Sequence, residues 1–517
     1  MNEKTDSDIL KKIIPAHRRH DMAVRVMNVI NGKAVPAKSG RTIKSLNPAT
    51  GEVIGEAPAS GKADIDMAVE AATTAFKGWR LVPAPKRGEI LFRAAGMLLK
   101  NKAALGALVT REMGKILPEG LGDAQEAVDM AFYMAGEGRR LDGQTVPSEL
   151  PFKDCKSIRE PLGVAGLITP WNFPIAIPAW KILPALICGN TVVLKPSSYT
   201  PICASRLVDI INDAGLPPGV LNVVHGKGEE AGEYLAAHQG LDLLSFTGSS
   251  AIGEALSKSC AAIGTKISCE MGGKNPIIVM DDAKLQLAVE GALWGGFGTA
   301  GQRCTAASRV IVHEKVYDEF LTMFVRAAKR LKLGNGLISG SHVGPVINES
   351  QMNKVLQLIE VGKKEGARLL LGGKRQTDGA LKKGCFIEPT IFADVKPDAR
   401  IAQEEIFGPV VSVIKAASLV EAISIANNVE YGLSAAVYTQ DVNNTAVAER
   451  DLETGIVYIN APTIGAEIQL PFGGIKKSGL GHREAGGSGG SLDMFSRFKI
   501  IYRDFSGRLQ RAQIDKD

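Results

Sequence analysis

Short apolar runs punctuate the middle of the chain: VAGLIT (164–169), TVVLK (191–195), LNVV (221–224), DLLSF (242–246), KISCE (266–270) and PIIVM (276–280). They are too short for helices and too continuous for strands with one wet face. A strand covered on both faces has this pattern, and it belongs to a parallel sheet. Between the runs, 201–214 and 249–262 carry the spaced apolar positions of amphipathic helices, the crossovers such a sheet needs. Upstream, 63–80 and 85–139 read mainly as helices. Downstream the rhythm repeats: RVIVH (309–313), a long helix to about 331, VVSVI (410–414), a helix at 419–429 and GIVYI (455–459). The pattern predicts an α/β protein with two such units in sequence. The tail RFKIIYRDF (497–505) predicts a strand outside both units.

Residues 162–180 carry no charge over about the length of a membrane span. Pro170, Pro174 and Pro178 interrupt any helix there, so the reading is a buried strand followed by a loop. The 517 residues suffice for two or three domains, and 45% hydrophobic with 22% charged content is that of a soluble globular protein. The net charge of +6 is spread among interleaved acids and bases, leaving no nucleic-acid footprint. The seven cysteines are odd in number and contain no CxxC pair. That argues against a disulfide framework or a thiolate cage and for a reducing, cytoplasmic setting. The histidines are scattered without an HxxxH pair, so no metal site is expected. The charged N-terminus lacks the apolar core of a signal peptide, and no short repeat occurs.

Candidate chemistry collects where parallel sheets place ligands, just after strand C-termini. TPWNFP (169–174), KPSSYTP (195–201), HGKGEEAG (225–232) and FTGSSAIG (246–253) each follow a predicted strand, and Glu270 ends another. Gly226, Gly228 and Gly232 nearly form a dinucleotide fingerprint, one residue too long in the last interval; turn glycines give the same pattern. In TAGQRCTAASR (299–309), Cys304 stands among small residues, with Gly301 able to admit a close backbone or ligand. By itself such a cysteine is more often a packed apolar thiol than a nucleophile.

Together these segments resemble the NAD(P)-dependent aldehyde dehydrogenase superfamily from about residue 30 to 505. PWNFP, GNTVVLKP, FTGS, EMGGKNP, GQRC, EEIFGPV and PFGGIKKSG appear in the family's order. The resemblance implies a Rossmann-like cofactor domain (1–147 and 166–273), an α/β catalytic domain (274–480) and a small oligomerisation β-arm (148–165 and 491–507). In the arm, the 148–165 segment leaves as a hairpin and pairs with the tail strand and with a second subunit, giving a homodimer or homotetramer. The implied partners are a small aldehyde and NAD or NADP, with no nucleic acid, membrane or metal.

The resemblance also assigns roles. Cys304 is the nucleophile that forms a thiohemiacetal and then a thioester. Asn172 donates to the oxyanion; its alternative use is as a turn residue. Glu270 is the general base that activates water, which favours release of a free acid over transfer to coenzyme A; the alternative is a salt-bridged strand end. Trp171, Lys195, Gly228, Gly248, Ser249, Glu405 and Phe407 fall on cofactor-binding positions. Ser198 stands where NAD-preferring members carry a glutamate, so NADP is expected to be accepted and preference is open; the alternative is a simple loop serine. APTIGAEIQLPFGG (461–474) resembles the anchor loop of members that oxidise carboxylate-bearing semialdehydes. Backbone N–H groups at Ile464, Gly465 and Ala466 would hold the carboxylate, Arg303 would assist or else pair structurally, and Phe173 and Trp180 would wall the tunnel. Lys274 receives no role. Kept alternatives are a catalytically reduced structural or binding member, an enzyme for simple aliphatic or aromatic aldehydes, and a cysteine hydrolase, which would need a histidine beside Cys304.

Overall fold

The computed structural model describes residues 24–514. Residues 1–23, at the start of the expected cofactor domain, lie outside that range.

Five of the six central apolar runs form one parallel sheet. Its strands lie in the order Lys266–Glu270, Leu243–Thr247, Val164–Ile168, Thr191–Lys195 and Leu221–Val223. From Val164–Ile168 the chain winds outward one way through two strands, then returns to the other side for the next two. The strand order therefore reverses beside Val164–Ile168, and the loops at the strand C-termini open a crevice there. Antiparallel edges complete an eight-stranded sheet: Asn28–Ile30 and Lys33–Val35 on one side, Gly479–Leu480 on the other. Thr191–Lys195 is buried at every position, as its unbroken apolar run requires.

The sixth run, Asn275–Val279, starts a seven-stranded sheet. Its order is Arg368–Leu371, Thr390–Ala393, Val410–Ala416, Ala307–His313, Asn275–Val279, Ser434–Tyr438 and Ile456–Ile459, all parallel except the first. A third sheet is small. Lys153–Pro161 pairs antiparallel with Ser496–Asp504 and with Thr145–Pro147. One face of the tail strand leaves Phe498, Ile500 and Tyr502 49%, 56% and 66% exposed.

One local expectation fails. After the strand at 164–168, the loop ends at Ala176 and a helix runs Ala176–Cys188. Pro178 does not break it because it sits in the first turn, where N–H groups have no intrahelical acceptor. Pro184 lies inside the helix. The 85–139 stretch is two helices, Ala84–Met113 and Leu117–Glu137, separated at Gly114 with φ of 100°.

Candidate active site

Cys304 follows a backbone that ordinary residues avoid. Thr299 and Ala300 both have φ of 53° and Gly301 has φ of 68°. A Cβ on Gly301 would stand 2.1 Å from the Gly408 carbonyl oxygen, so glycine alone fits the turn. The surroundings over-determine this strained loop, as strain at a functional site requires. Asn275 Nδ2 donates to the Cys304 carbonyl at 2.7 Å and to that of Ala306 at 3.0 Å. Thr463 Oγ1 donates to the Thr305 carbonyl at 2.7 Å. Gln302 Oε1 accepts the Ile347 N–H at 2.9 Å.

Whereas the cysteines at 155, 188, 203, 260 and 269 are buried, Cys304, like Cys385, is half-buried. It lines a cavity of about 70 Å³ with Glu270, Phe173, Trp180, Gly465 and Ala466. Burial pushes the thiol up to about 12, helped by the carboxylates of Glu405, Glu270 and Glu484. Glu270 ends its strand, is 4% exposed, and leaves Oε2 without a hydrogen-bond partner. Burial and the charge of Glu484 hold its carboxyl well above the usual range. Asn172 is 3% exposed; its Nδ2 donates to the Gln302 carbonyl at 3.1 Å, tying this loop to the one that carries Cys304. That bond uses one N–H of the amide.

Arg303 both lines the cavity and is held structurally. Its Nε donates to Thr299 Oγ1 at 2.9 Å, and its guanidinium lies over the Phe173 and Trp294 rings at 5.2 and 5.1 Å. The Glu119 carboxylate is 3.7 Å away. Trp180 meets Phe472 edge-on at 5.5 Å. Ile464 is buried and does not line the cavity, whereas Gly465 and Ala466 do.

The expected cofactor positions gather along the crevice of the first sheet. Lys195 is 4% exposed; burial draws its amine down to about 8, with Glu229 acting the other way. A Cβ on Gly232 would stand 3.7 Å from the Lys195 side chain, in ordinary contact. Gly228 opens a short π-helical turn, Gly228–Gly232. Gly248 and exposed Ser249 lead into the helix Ser250–Ile263, whose first turn has no side-chain cap and so presents free N–H groups. Trp171 meets Phe407 edge-on at 5.4 Å. Glu405 accepts the Gly273 N–H at 3.0 Å, and burial raises its carboxyl. A Cβ on Gly272 would stand 2.3 Å from the Glu405 carboxylate, so a side chain there would displace Glu405. Ser198 instead borders a groove of about 330 Å³ that also carries Lys44, Arg375, Lys383 and Glu349.

Several site groups had no signal in the sequence. Lys181 pairs with Glu484 and donates to Ser245 Oγ at 2.7 Å; the pair is buried and reaches the cavity through Glu484. Lys274 is 1% exposed with its Nζ unpartnered, which removes a solvated role; burial and nearby Arg309 draw it down to about 7. Glu126 lines the cavity. Among the described residues no group of three or more His, Cys, Asp or Glu could hold a metal ion. No helix there is long and apolar enough to cross a membrane.

Cys304 and a buried glutamate thus line one cavity, beside the loop that carries Asn172, and residues 34–501 match the Aldehyde dehydrogenase family, a class of aldehyde-oxidising enzymes. The chain belongs to that family and oxidises aldehydes. It is 40% identical over 477 residues to the alpha-ketoglutaric semialdehyde dehydrogenase of Bacillus subtilis (strain 168), covering 92% of this chain and 97% of that one. It is 42% identical over 480 residues to the alpha-ketoglutarate semialdehyde dehydrogenase of Haloferax volcanii, covering 92% and 99%. The crystal structure of Staphylococcus aureus betaine aldehyde dehydrogenase in complex with NAD+ superposes with a TM-score of 0.93 at 36% identity, covering 98% of each chain.

Proposed function

We propose that this enzyme oxidises a carboxylate-bearing semialdehyde to the free acid with a nicotinamide dinucleotide, through a thioester on Cys304. The observation that carries the chemistry is that Cys304 and Glu270 line one cavity, where burial keeps the thiol protonated and makes the carboxylate a stronger base. As the aldehyde carbon meets Sγ, the thiol proton passes to the ionised Glu270 carboxylate, because a thiolate beside carboxylates is disfavoured until the new C–S bond forms, and Glu270 returns that proton to solvent before the water step. The second N–H of Asn172 and the Cys304 backbone N–H then hold the oxyanion. The nicotinamide cofactor, when bound, supplies the hydride acceptor. Collapse of the oxyanion leaves the thioester, and Glu270 takes a proton from the water that hydrolyses it. No histidine lines the cavity, which disfavours the cysteine-hydrolase reading.

The dinucleotide is proposed to lie in the crevice of the first sheet. The uncapped helix start after Ser249 suits a pyrophosphate, Lys195 a ribose, and Glu405 the ribose at the other end. NADP is accepted alongside NAD: Ser198 carries no charge, and the same groove is bordered by the cations Lys44, Arg375 and Lys383 against one acid, Glu349. Glu229, close enough to Lys195 to affect its proton, limits any preference for the extra phosphate. The eight-stranded sheet is read as the cofactor domain, the seven-stranded sheet as the catalytic domain and the small sheet of the tail strand as an arm, with the apolar face of that strand covered by a second copy of the chain in a cytoplasmic homodimer or homotetramer.

The substrate class rests on Arg303 at the cavity wall and on the relatives' semialdehydes. A panel of acidic and neutral aldehydes of equal length tests it. A higher kcat/KM for the acidic members supports the reading, and a clear preference for long neutral aldehydes removes it.

A further inference from the structure

We propose that Glu126, an acid on the wall of the substrate cavity, determines charge preference together with Arg303, admitting a carboxylate-bearing aldehyde when Glu126 is protonated and opposing it when Glu126 is ionised. The proposal rests on the semialdehyde reading above and extends it to a residue that reading does not use.

Three acids of the Leu117–Glu137 helix, Glu119, Asp123 and Glu126, fall at spacings of four and three and so share one face. Two of them are spoken for. Glu119 accepts the Thr299 N–H at 2.6 Å and the Ile116 N–H at 3.3 Å. Asp123 accepts the Ala176 N–H at 2.7 Å and pairs with buried Lys115 at 3.1 Å. Among the described residues Glu126 has no hydrogen-bond partner, yet it lines the cavity that Cys304 and Arg303 line. An acid placed there without a partner of its own is available to whatever enters.

The charges around it are mixed. Asp123 and Asp129 of its own helix oppose its ionisation, while Arg303 of the nucleophile loop and Lys115 favour it. Glu270 and Glu484 face the same cavity from the inner side. Burial comes first among the causes, and the carboxyl is raised to about 7. Below that value the wall presents Arg303, 3.7 Å from Glu119, beside a neutral acid. Above it, Glu126 adds a negative charge that Arg303, shared with Glu119, does not offset, and an incoming carboxylate meets a like charge. Arg303 cannot titrate in this range. Its position is fixed by Thr299 and two rings, so the balance at the wall is set by Glu126.

The test compares kcat/KM for glutaric semialdehyde with that for pentanal, between pH 6 and 8.5. Taking the ratio cancels the titration of Cys304 and Glu270 as reacting groups, and comparison with Glu126→Gln separates Glu126 from the charge that Glu270 and Glu484 present to an acidic substrate. In the wild type the ratio should fall about tenfold across the range, a scale suited to one unit charge in a partly solvated channel. In Glu126→Gln it should stay near its low-pH value, and in Glu126→Asp the fall should return. A ratio that is flat in the wild type, or falls equally in Glu126→Gln, overturns the role of Glu126 while leaving the semialdehyde reading intact. Failure of the wild type to oxidise glutaric semialdehyde at any pH, with pentanal oxidised, removes both. A wild type that prefers betaine aldehyde, with that preference lost in Glu126→Gln, also overturns the proposal by making Glu126 a cation site.

Discussion

Replacing Asn275 with alanine should damage both the fold and the reaction, because one buried amide holds three backbone groups around the nucleophile. Asn275 is 2% exposed. Its Nδ2 serves the Cys304 and Ala306 carbonyls at 2.7 and 3.0 Å, and its Oδ1 accepts the Ser434 N–H at 3.1 Å. The first two bonds fix the strand-end loop that aims Sγ, and the third ties it to the neighbouring strand of the second sheet. Each lost bond costs about 1 kcal/mol net, and the buried groups left unpaired add to this, for a total of about 3–5 kcal/mol. A displacement of the thiol by about 1 Å would cost roughly 100-fold in rate. Denaturant unfolding followed by tryptophan fluorescence reads the first effect, and kcat at saturating substrate reads the second. Asn275→Asp should be no better, since a carboxylate would face two carbonyl oxygens. If Asn275→Ala unfolds within about 1 kcal/mol of wild type and keeps kcat within about twofold, the positioning argument is wrong.

Gly301→Ala should give little folded, active enzyme, because the added methyl would stand 2.1 Å from the Gly408 carbonyl at φ of 68°; soluble yield and kcat check it. Ile500→Lys with Tyr502→Glu should dissociate the assembly by charging the exposed face of the tail strand, read by analytical ultracentrifugation; an unchanged sedimentation coefficient would show that this face is not the interface. Ser198→Glu should lower kcat/KM for NADP relative to NAD by about tenfold or more, since a new carboxylate repels the extra phosphate.

Much of the architecture was legible because burial on both faces leaves a plain mark. TVVLK and PIIVM can hardly be anything but interior strands. The strand Ser434–Tyr438, next to the sheet edge, went unread: SAAVY is short and two of its residues are alanine, so its apolar signal is weak although every position is buried. Pro178 misled because a proline breaks a helix interior and not its first turn. The antiparallel edges at Asn28–Val35 and Gly479–Leu480 are contributed from distant parts of the chain, and local pattern cannot foretell such pairings. The site divides in the same way. Cys304, Glu270 and Asn172 stand in recognisable segments and the fold brings their loops together. Glu484 and Lys181 are 303 residues apart, and Glu126 sits in an ordinary helical stretch, so only packing reveals that they reach the cavity.

The central claim is that the acyl group passes through Cys304 and waits there for Glu270. Glu270→Gln keeps the side chain's shape and removes its basicity, so both steps should slow, with deacylation, which has no other base, slowing more than the acylation and hydride transfer before it. Mixing this variant with NAD and an aldehyde, quenching in acid and measuring the intact mass should give a protein heavier by one acyl group. Proteolysis should place the added mass on the peptide containing Cys304, and Cys304→Ala should show none. A burst of NADH from Glu270→Gln without any acyl adduct on Cys304 would contradict the account.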